Sequence, residues 1–324
     1  MQAIIVNYSG KHSFNNRNEI IVVVWLNRVR KILNIDLLHE RGYTGKGVGI
    51  AVLDTGVVPH LDLNDNIADF KDFVNQKNSI YDDNGHGTHV AGIIAGKGIK
   101  SNGIYKGIAP DSHIVMLKCL DKDGNGSITD ASEAIDYIIK KRNQYRIRIV
   151  NISIGSVLGK DRKENQVLIH HVEMLWKIGF VVIVAAGNNG PKSGSVTVPG
   201  CAKSVITVGA YDDHAVFGRR KNGHFLNYSG RGPTGSCVMK PEIVCPGTNI
   251  ISCSVNGKNY SSKSGTSMSA PIVAGVTALM LEKYPEYSNK DVKKRMYETA
   301  IDLGYDKNHQ GWGLLNPLGL LQEV

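Results

Sequence analysis

Short apolar runs alternate with longer amphipathic stretches along most of this chain, and this alternation restricts the fold more than any other feature of the sequence. The runs are rich in β-branched residues and end at Gly or at a polar turn, as buried strands do. Strands are predicted at 47–53, 113–120, 147–154, 180–185 and 204–208, and helices at 87–95, 129–143, 165–177, 266–284 and 289–299. Strands that alternate with helices favour an α/β fold of three layers, in which a doubly wound, mostly parallel sheet lies between helices.

The chain of 324 residues is long enough to bury a sizeable core, and its 42% hydrophobic residues and 36 glycines are typical of a globular protein with many turns. Residues 1–36 precede the regular pattern. The run at 20–26 is compatible with a strand, and 29–38, which extends just past this segment, is compatible with a short helix. We therefore predict one domain at 37–324 that follows an N-terminal extension at 1–36.

The five cysteines are odd in number and form no C-x-x-C pair, which indicates free thiols instead of a disulfide framework. Free thiols suit a reducing compartment. The apolar run at 20–26 is short and lacks the cleavage site of a signal peptide, and no run approaches the roughly 18 apolar residues of a membrane span. We expect a cytoplasmic protein with no membrane partner.

The formal net charge of +9 can indicate binding to nucleic acid. The basic residues are scattered, however, with small clusters at 28–31, 140–142 and 219–221, and there is no basic helix with interleaved aromatic residues. We interpret the charge as solvated surface charge and predict no nucleic-acid partner. A nucleic-acid-associated protein is the alternative, which a steep salt dependence of DNA binding would reveal.

The stretch SGTSMSAPIVAG at 264–275 combines a Gly-containing turn with a helix of small residues and places Ser267 at the helix start. Backbone N–H groups there are unpaired and the helix dipole is positive, so a developing oxyanion would be stabilised. A serine also needs a base and a group that orients the base. Two stretches supply them: Asp54 ends the apolar run GVGIAVLD, and His86 heads a small-residue helix in DDNGHGTHVAG.

With the motifs in the order Asp, His, Ser, the chain resembles the subtilisin-like serine peptidases, and most of all the bacterial intracellular subtilisins. The resemblance extends from about residue 37 to the closing GWGLLNP. It implies a subtilisin-like fold, a triad of Asp54, His86 and Ser267, and Asn188 in VVIVAAGNNGP as the side-chain donor of the oxyanion hole. It also implies a serine endopeptidase that cleaves peptides and proteins through an acyl-enzyme and needs no cofactor for its chemistry. A catalytically silent binding protein on the same fold is the alternative, against which the intact triad argues.

The resemblance further implies a substrate cleft between two chain segments. One edge is implied at Gly124, Asn125, Gly126 and Ile128, and the other at Ser153, Ile154 and Gly155. A peptide between two such edges binds through main-chain hydrogen bonds and with few contacts that depend on its side chains, which gives broad specificity. The family's main pocket is walled here by 153–155 and 185–187, which carry no charge, and Thr197 falls near its floor. A medium apolar side chain is therefore expected at P1, the substrate residue before the cleaved bond.

Two patterns resemble metal sites without completing them. DKDGNGSITDASE at 121–133 matches the first nine positions of an EF-hand calcium loop, but Ser132 stands where the twelfth position needs Glu, and a strand pattern precedes it. We predict no EF-hand there. His86 and His89 lack the spacing and the Glu of a zinc-peptidase helix, so we interpret His89 as structural.

Asp62 in PHLDL is the candidate ligand of a structural calcium ion. It matches a calcium ligand of the family. The loop at 96–105, which would complete that site, departs from the pattern of the secreted members.

Residues 1–36 are too few for the folded inhibitory pro-domain of secreted subtilisins. The intracellular relatives use a short N-terminal stretch that lies across the active site, so the resemblance implies an inhibitory role for this extension. Its segment 4–8 is apolar and β-prone, which suits addition as a strand to the cleft edges. An edge strand of the main sheet is the alternative role of this segment.

Overall fold

The computed structural model of the protein describes residues 26–153, 162–212, 227–255 and 260–323. The predictions for Ile154, Gly155 and the segment 4–8 therefore lie outside the described residues. Within these ranges, no helix is both long enough and apolar enough to cross a membrane.

In the described part of the chain, seven strands form one parallel sheet in the order β2-β3-β1-β4-β5-β6-β7, and an antiparallel hairpin, β8-β9, stands apart. The strands are β1 (Gly49–Asp54), β2 (Ile67–Asp72), β3 (His113–Lys118), β4 (Ile147–Ile152), β5 (Val181–Ala185), β6 (Ile206–Ala210), β7 (Ile243–Cys245), β8 (Ile250–Cys253) and β9 (Tyr260–Lys263). The chain builds outward from β1 in both directions. The carboxyl end of β1 is thus at the switch point of the sheet, where α/β proteins bind their ligands.

Helices cover both faces of the sheet, because buried side chains alternate between them along each strand. The helices are α1 (Leu26–Ile32), α2 (Ile35–Glu40), α3 (His86–Ala95), α4 (Ile128–Lys141), α5 (Arg162–Lys177), α6 (Thr266–Lys283), α7 (Asn289–Thr299), α8 (Lys307–Gln310) and α9 (Pro317–Leu320). Ile50 and Val52 share a core with α3 and α6, whereas Ala51 and Leu53 share the opposite core with α4 and α5. The expected three-layer α/β fold with a doubly wound sheet is confirmed.

Some elements differ from the sequence prediction. Strand β2 is polar and half-exposed, β7 has three residues, and the β8-β9 hairpin is short, so none of them has the apolar periodicity that marks a buried strand. The single helix predicted at 29–38 is two helices, because Asn34 adopts a left-handed φ of 53° between α1 and α2. The strand predicted at 20–26 conflicts with α1 at Leu26, and its other residues lie outside the described ranges.

The described end of the N-terminal extension packs onto the domain. Val29, Leu33 and Ile35 are buried in the main core. Arg28 Nη2 also bonds to Asp212 Oδ2 at 3.1 Å. The boundary between residues 36 and 37 is therefore not a boundary of the core, although the division of roles between the two parts stays a prediction.

Candidate active site

Asp54 and His86 form a hydrogen-bonded pair at the carboxyl edge of the sheet. Asp54 is the fully buried last residue of β1, and His86 is the first residue of α3. Asp54 Oδ1 accepts hydrogen bonds from His86 Nδ1 at 2.7 Å and from the Thr55 N–H group at 2.8 Å. Because an ionised carboxylate only accepts, Nδ1 carries the hydrogen, and Nε2 of the neutral imidazole is left as the proton acceptor.

The pKa of His86 lies above its ordinary value of 6.5. Burial lowers the pKa of His86, but the charge of Asp54 and the hydrogen bond to it raise that pKa by more. Lys263 lowers it and Asp82 raises it further, both with smaller effect. Since 23% of the His86 side chain is exposed, the ring is accessible from solvent. The pair therefore supplies a reachable base whose protonated form is stabilised by Asp54.

Asp82 and Thr55 fix the start of α3. Asp82 Oδ1 accepts hydrogen bonds from the Gly85 N–H group at 2.7 Å and from Thr55 Oγ1 at 2.9 Å. Asp82 Oδ2 accepts hydrogen bonds from the N–H group and the hydroxyl group of Thr88. Thr55 Oγ1 accepts from the Gly87 N–H group at 2.9 Å. Burial raises the pKa of Asp82, but the hydrogen bonds that it accepts, first those from Thr88 and Gly85, lower that pKa by more, so the carboxylate stays charged. The sequence prediction missed both residues, although an Asp ahead of a Gly-rich helix start is a common capping signal.

Ser267 is the second residue of α6 and is half-buried. Helices α3 and α6 pack against each other, so Ser267 and His86 lie in the first turns of two contacting helices. Among the described residues, no hydrogen bond joins the Ser267 hydroxyl to His86. Catalytic hydrogen bonds are often long in enzymes without substrate, so this geometry is compatible with a nucleophile and its base.

Asn188 follows β5 and is held by Thr266. Asn188 Oδ1 accepts hydrogen bonds from the Thr266 N–H group at 2.9 Å and from Thr266 Oγ1 at 3.2 Å. Thr266 Oγ1 accepts from the Gly187 N–H group at 3.0 Å, so one threonine fixes both the Asn188 side chain and the backbone before it. With its oxygen engaged, the exposed Asn188 has its Nδ2 group as a donor near the start of α6. No sequence pattern had pointed to Thr266.

The structure places Gly124, Asn125 and Gly126 in a turn that follows β3, at the same edge of the sheet as Asp54. The Asn125 N–H group donates to Asp121 Oδ1 at 2.9 Å, and the Asn125 carbonyl accepts from the Asp121 N–H group at 2.7 Å. The main chain of Asn125 is therefore engaged inside the turn, and its contact with a bound peptide stays a prediction. Its side chain is exposed.

Ile128 and Ser153 are the other described residues of the predicted cleft. Ile128 is half-buried and begins α4, which is capped by Ser127. The stretch 121–133 therefore runs into a helix at its eighth position and forms no EF-hand loop. On the implied opposite edge, Ser153 is buried, and its Oγ accepts from Asn151 Nδ2 at 2.7 Å.

Thr197 packs directly beneath the backbone that precedes Asn188. Its N–H group donates to the Ala186 carbonyl at 3.0 Å. A Cβ atom built on Gly187 would lie 2.3 Å from Thr197 Oγ1, so the two residues are in close contact. The Thr197 side chain thus occupies space under Gly187, where the sequence predicts the floor of the specificity pocket.

The surroundings of Asp62 do not fit a calcium ion. Asp62 Oδ1 accepts from the Lys100 N–H group at 3.0 Å, and Oδ2 accepts from the Tyr260 hydroxyl at 2.6 Å. The other groups nearby are the His60 ring and the Cys253 thiol, whose ligand atoms lie within 4.8 Å of Asp62 and of one another. Calcium takes six to eight oxygen ligands, whereas the described side chains of this cluster offer one carboxylate, which already accepts two protein donors, together with a ring nitrogen and a sulfur.

His89 ties α3 to the β8-β9 hairpin. Its Nε2 donates to the carbonyls of Ile250 and Ser261, both at 3.0 Å. Burial, together with the charges of His86 and Lys263, lowers the pKa of His89 to about 3. The ring is therefore neutral and structural, as its position in the sequence suggested.

Comparison with known proteins agrees with this geometry. The model of the subtilase family matches residues 45–313. Serine protease AprX of Bacillus subtilis (strain 168) is 39% identical over an alignment that covers 96% of this chain and 76% of AprX. Thermostable alkaline protease of Halalkalibacterium halodurans is 36% identical over 84% of this chain and 67% of its own length.

Solved structures also resemble this fold. Sphericase superposes with a TM-score of 0.70 at 30% identity, over 84% of this chain and 92% of its own. A cold-adapted subtilisin-like serine proteinase superposes with a TM-score of 0.65 at 27% identity, over 85% and 88%. The chain belongs to the subtilase family and is a subtilisin-like serine endopeptidase.

Proposed function

We propose that Asp54, His86 and Ser267 are the catalytic triad of this endopeptidase and that Asn188 completes its oxyanion hole. The observation that carries the proposal is the 2.7 Å bond between Asp54 and His86 at the carboxyl edge of β1, beside the helix start that carries Ser267. The bond fixes the His86 tautomer in which Nε2 accepts a proton.

The reaction proceeds in two halves. His86 Nε2 takes the hydroxyl proton while Ser267 Oγ attacks the scissile carbonyl carbon, and Asp54 stabilises the resulting imidazolium. The oxyanion receives hydrogen bonds from Asn188 Nδ2 and from the Ser267 N–H group. His86 then protonates the leaving amine, and the C–N bond breaks to leave the acyl-enzyme. Water attacks the ester in the same way: it gives a proton to His86, which returns it to Ser267 Oγ.

Substrates are peptides and proteins, bound as an extended strand between the turn at 124–126 and the segment that begins at Ser153. Main-chain bonding makes the specificity broad. Thr197 narrows the floor of an uncharged pocket, which favours a medium apolar P1 side chain.

We place this activity in the cytoplasm. All five cysteines are free, and burial raises the pKa of Cys119, Cys245 and Cys253. Thiols of this kind suit a reducing compartment. The positive net charge is solvated surface charge in this proposal, with neither nucleic acid nor membrane as a partner.

The extension at 1–36 is proposed to inhibit the enzyme, with the segment 4–8 in the cleft. Tethering supplies an effective concentration in the millimolar range, so even a segment that binds the cleft weakly would fill the site. Deletion of residues 1–10 should then raise the rate of peptide hydrolysis without changing thermal stability. Lower stability with no gain in rate would instead favour a structural strand.

The triad is tested by Ser267→Ala. Hydrolysis of a chromogenic peptide should fall to the small residual that binding and the oxyanion hole sustain, while circular dichroism and thermal stability stay nearly unchanged. Ser262→Ala is the matched control, because Ser262 is an exposed serine five residues earlier. Labelling of Ser267 by a sulfonyl fluoride, seen by peptide mass analysis, is a second readout. Full activity of Ser267→Ala would refute the assignment.

A further inference from the structure

Lys118 is a fully buried lysine directly beside the catalytic aspartate. It ends β3 and stands opposite Asp54 in the parallel register of β3 and β1. A buried ammonium group is costly unless all of its donors are satisfied. Lys118 Nζ donates to the Thr55 carbonyl at 2.7 Å, the Leu120 carbonyl at 2.8 Å and Asp83 Oδ1 at 2.7 Å. Its three hydrogens therefore have three acceptors.

Each acceptor belongs to a different part of the site. Thr55 follows Asp54, and its own N–H group bonds to the Asp54 carboxylate. Asp83 belongs to the short segment that leads into α3 and His86. Leu120 begins the cleft turn, where it pairs with Gly126. One ammonium group thus joins the end of β1, the segment that leads into α3, and the turn at 120–126.

A second connection runs through Asn84. Its Oδ1 accepts from the His86 N–H group at 3.1 Å, and its Nδ2 donates to the Lys122 carbonyl at 3.0 Å. The backbone of His86 and the cleft turn are thus linked by a single carboxamide. Asn84 is exposed, whereas Lys118 is enclosed, so Lys118 is the part of this linkage that solvent does not weaken.

We propose that Lys118 is a positioning residue for peptide hydrolysis, which holds the Asp54–His86 pair in register with the substrate-binding turn at 120–126. This inference rests on the proposed roles of Asp54 and His86. Without the ammonium group, the Thr55 and Leu120 carbonyls lose a shared donor. Beyond the β1–β3 ladder, the two segments then keep, among the described residues, only the hydrogen bonds that the Cys119 and Leu120 N–H groups donate to the Asp54 carbonyl, at 3.0 and 3.3 Å, and their relative position is less firmly held. A misplacement of about 1 Å between reacting groups costs on the order of a hundredfold in rate.

The test compares Lys118→Met with Lys240→Met. Lys240 is also fully buried, and its Nζ bonds to the Val205 carbonyl and to Glu242 Oε1, but it precedes β7 at the opposite edge of the sheet. Both variants should lose thermal stability. In Lys118→Met, kcat per folded molecule should fall about 10- to 100-fold, both for a small ester and for a long peptide. The KM of the long peptide, which contacts the turn at 120–126, should also rise. In Lys240→Met, kcat and KM should not change.

Equal kinetics of Lys118→Met and the parent protein, with only the stability lowered as in Lys240→Met, would overturn the proposal. If Lys118→Met does not fold, Asp83→Ala removes one of the three acceptors at an exposed residue. That variant should show a smaller fall in kcat of the same kind, and unchanged kinetics would overturn the proposal again. Failure of the triad is separate, because it appears as retained activity in Ser267→Ala.

Discussion

The side-chain oxygen of Asn188 accepts the N–H group of Thr266, the residue just before Ser267, at 2.9 Å. The proposed oxyanion donor is therefore attached to the helix that carries the proposed nucleophile, although the bonded residues are 78 positions apart in the chain. This bond also consumes the acceptor end of the carboxamide. The Asn188 amide hydrogens are thus left for the substrate, and the bonds to Thr266 fix their position relative to the start of α6.

Asn188→Ala should lower kcat by about 10²- to 10³-fold and leave KM nearly unchanged, because the lost hydrogen bond forms with the oxyanion and not with the ground state. Steady-state hydrolysis of a chromogenic peptide measures both constants. Asn189→Ala is the control, since Asn189 is an exposed neighbour of the same type. A similar loss in both variants would mean that the loop as a whole, and not the Asn188 donor, is needed.

The value of kcat/KM should rise with pH, because only neutral His86 accepts the serine proton. The midpoint of this rise should lie above pH 6.5, because Asp54 raises the His86 pKa. Asp54→Asn removes the charge that raises this pKa but keeps the burial that lowers it. Its midpoint should therefore shift to lower pH, and kcat should fall by about 10⁴-fold as the tautomer is lost. A midpoint that does not move in Asp54→Asn would show that the pH dependence comes from another group.

Stability should fall in acid through His89. Its pKa is lowered to about 3 in the folded protein, so between the ordinary value of 6.5 and that value the unfolded chain binds a proton that the folded protein does not. The free energy of unfolding should accordingly decrease by up to ~1.4 kcal/mol per pH unit from this residue as the pH falls through that window. His89→Gln keeps an amide donor but does not titrate. Denaturant titrations at several pH values should show a shallower acid loss in the variant, and parallel curves would contradict the assignment.

Replacement of Thr197 by a smaller residue should shift the P1 preference towards larger side chains. Thr197→Gly removes the side chain that fills the space under Gly187, so kcat/KM for a Phe P1 peptide should rise relative to Ala by about tenfold. Thr197→Ser, which removes one methyl group, should give a smaller change in the same direction. Peptides that differ only at P1 provide the measurement. Strong preference of the parent enzyme for Arg or Lys would contradict an uncharged, shallow pocket.

The Asp62 site should be stabilised by protein donors and not by calcium. Tyr260→Phe removes the hydroxyl that bonds to Asp62 Oδ2 and should lower the free energy of unfolding by about 1–3 kcal/mol. Tyr297→Phe is the control, because 62% of the Tyr297 residue is exposed. A chelator should leave the thermal stability of the parent and of Tyr260→Phe equally unchanged. A calcium-dependent stability that disappears in an Asp62→Asn variant would refute this expectation.

Sequence prediction succeeded where a local pattern carries the structure. The runs that became β1, β5 and β6 are buried throughout, and those of β3 and β4 are buried except at one residue each. Helices α3 and α6 follow Gly-containing turns and are rich in small, buried residues. Strand β2 has polar residues and gains its place from pairing with β3, so its own sequence is ambiguous. The break at Asn34 depends on one left-handed residue inside an otherwise helical pattern.

The sequence by itself determined the α/β class, the order of the elements near the site, and the identities of Asp54, His86, Ser267 and Asn188 as candidates. Only the tertiary structure decided that Thr266 orients Asn188, that Asp62 is bonded to Tyr260, and that Lys118 joins three segments. A local sequence pattern predicts which face of a helix or strand is buried and where that helix or strand ends. The Lys118–Thr55, Asn188–Thr266 and Asp62–Tyr260 partners are 63, 78 and 198 positions apart. Their contacts are therefore fixed by the packing of the sheet and by the need of buried donors and acceptors to pair.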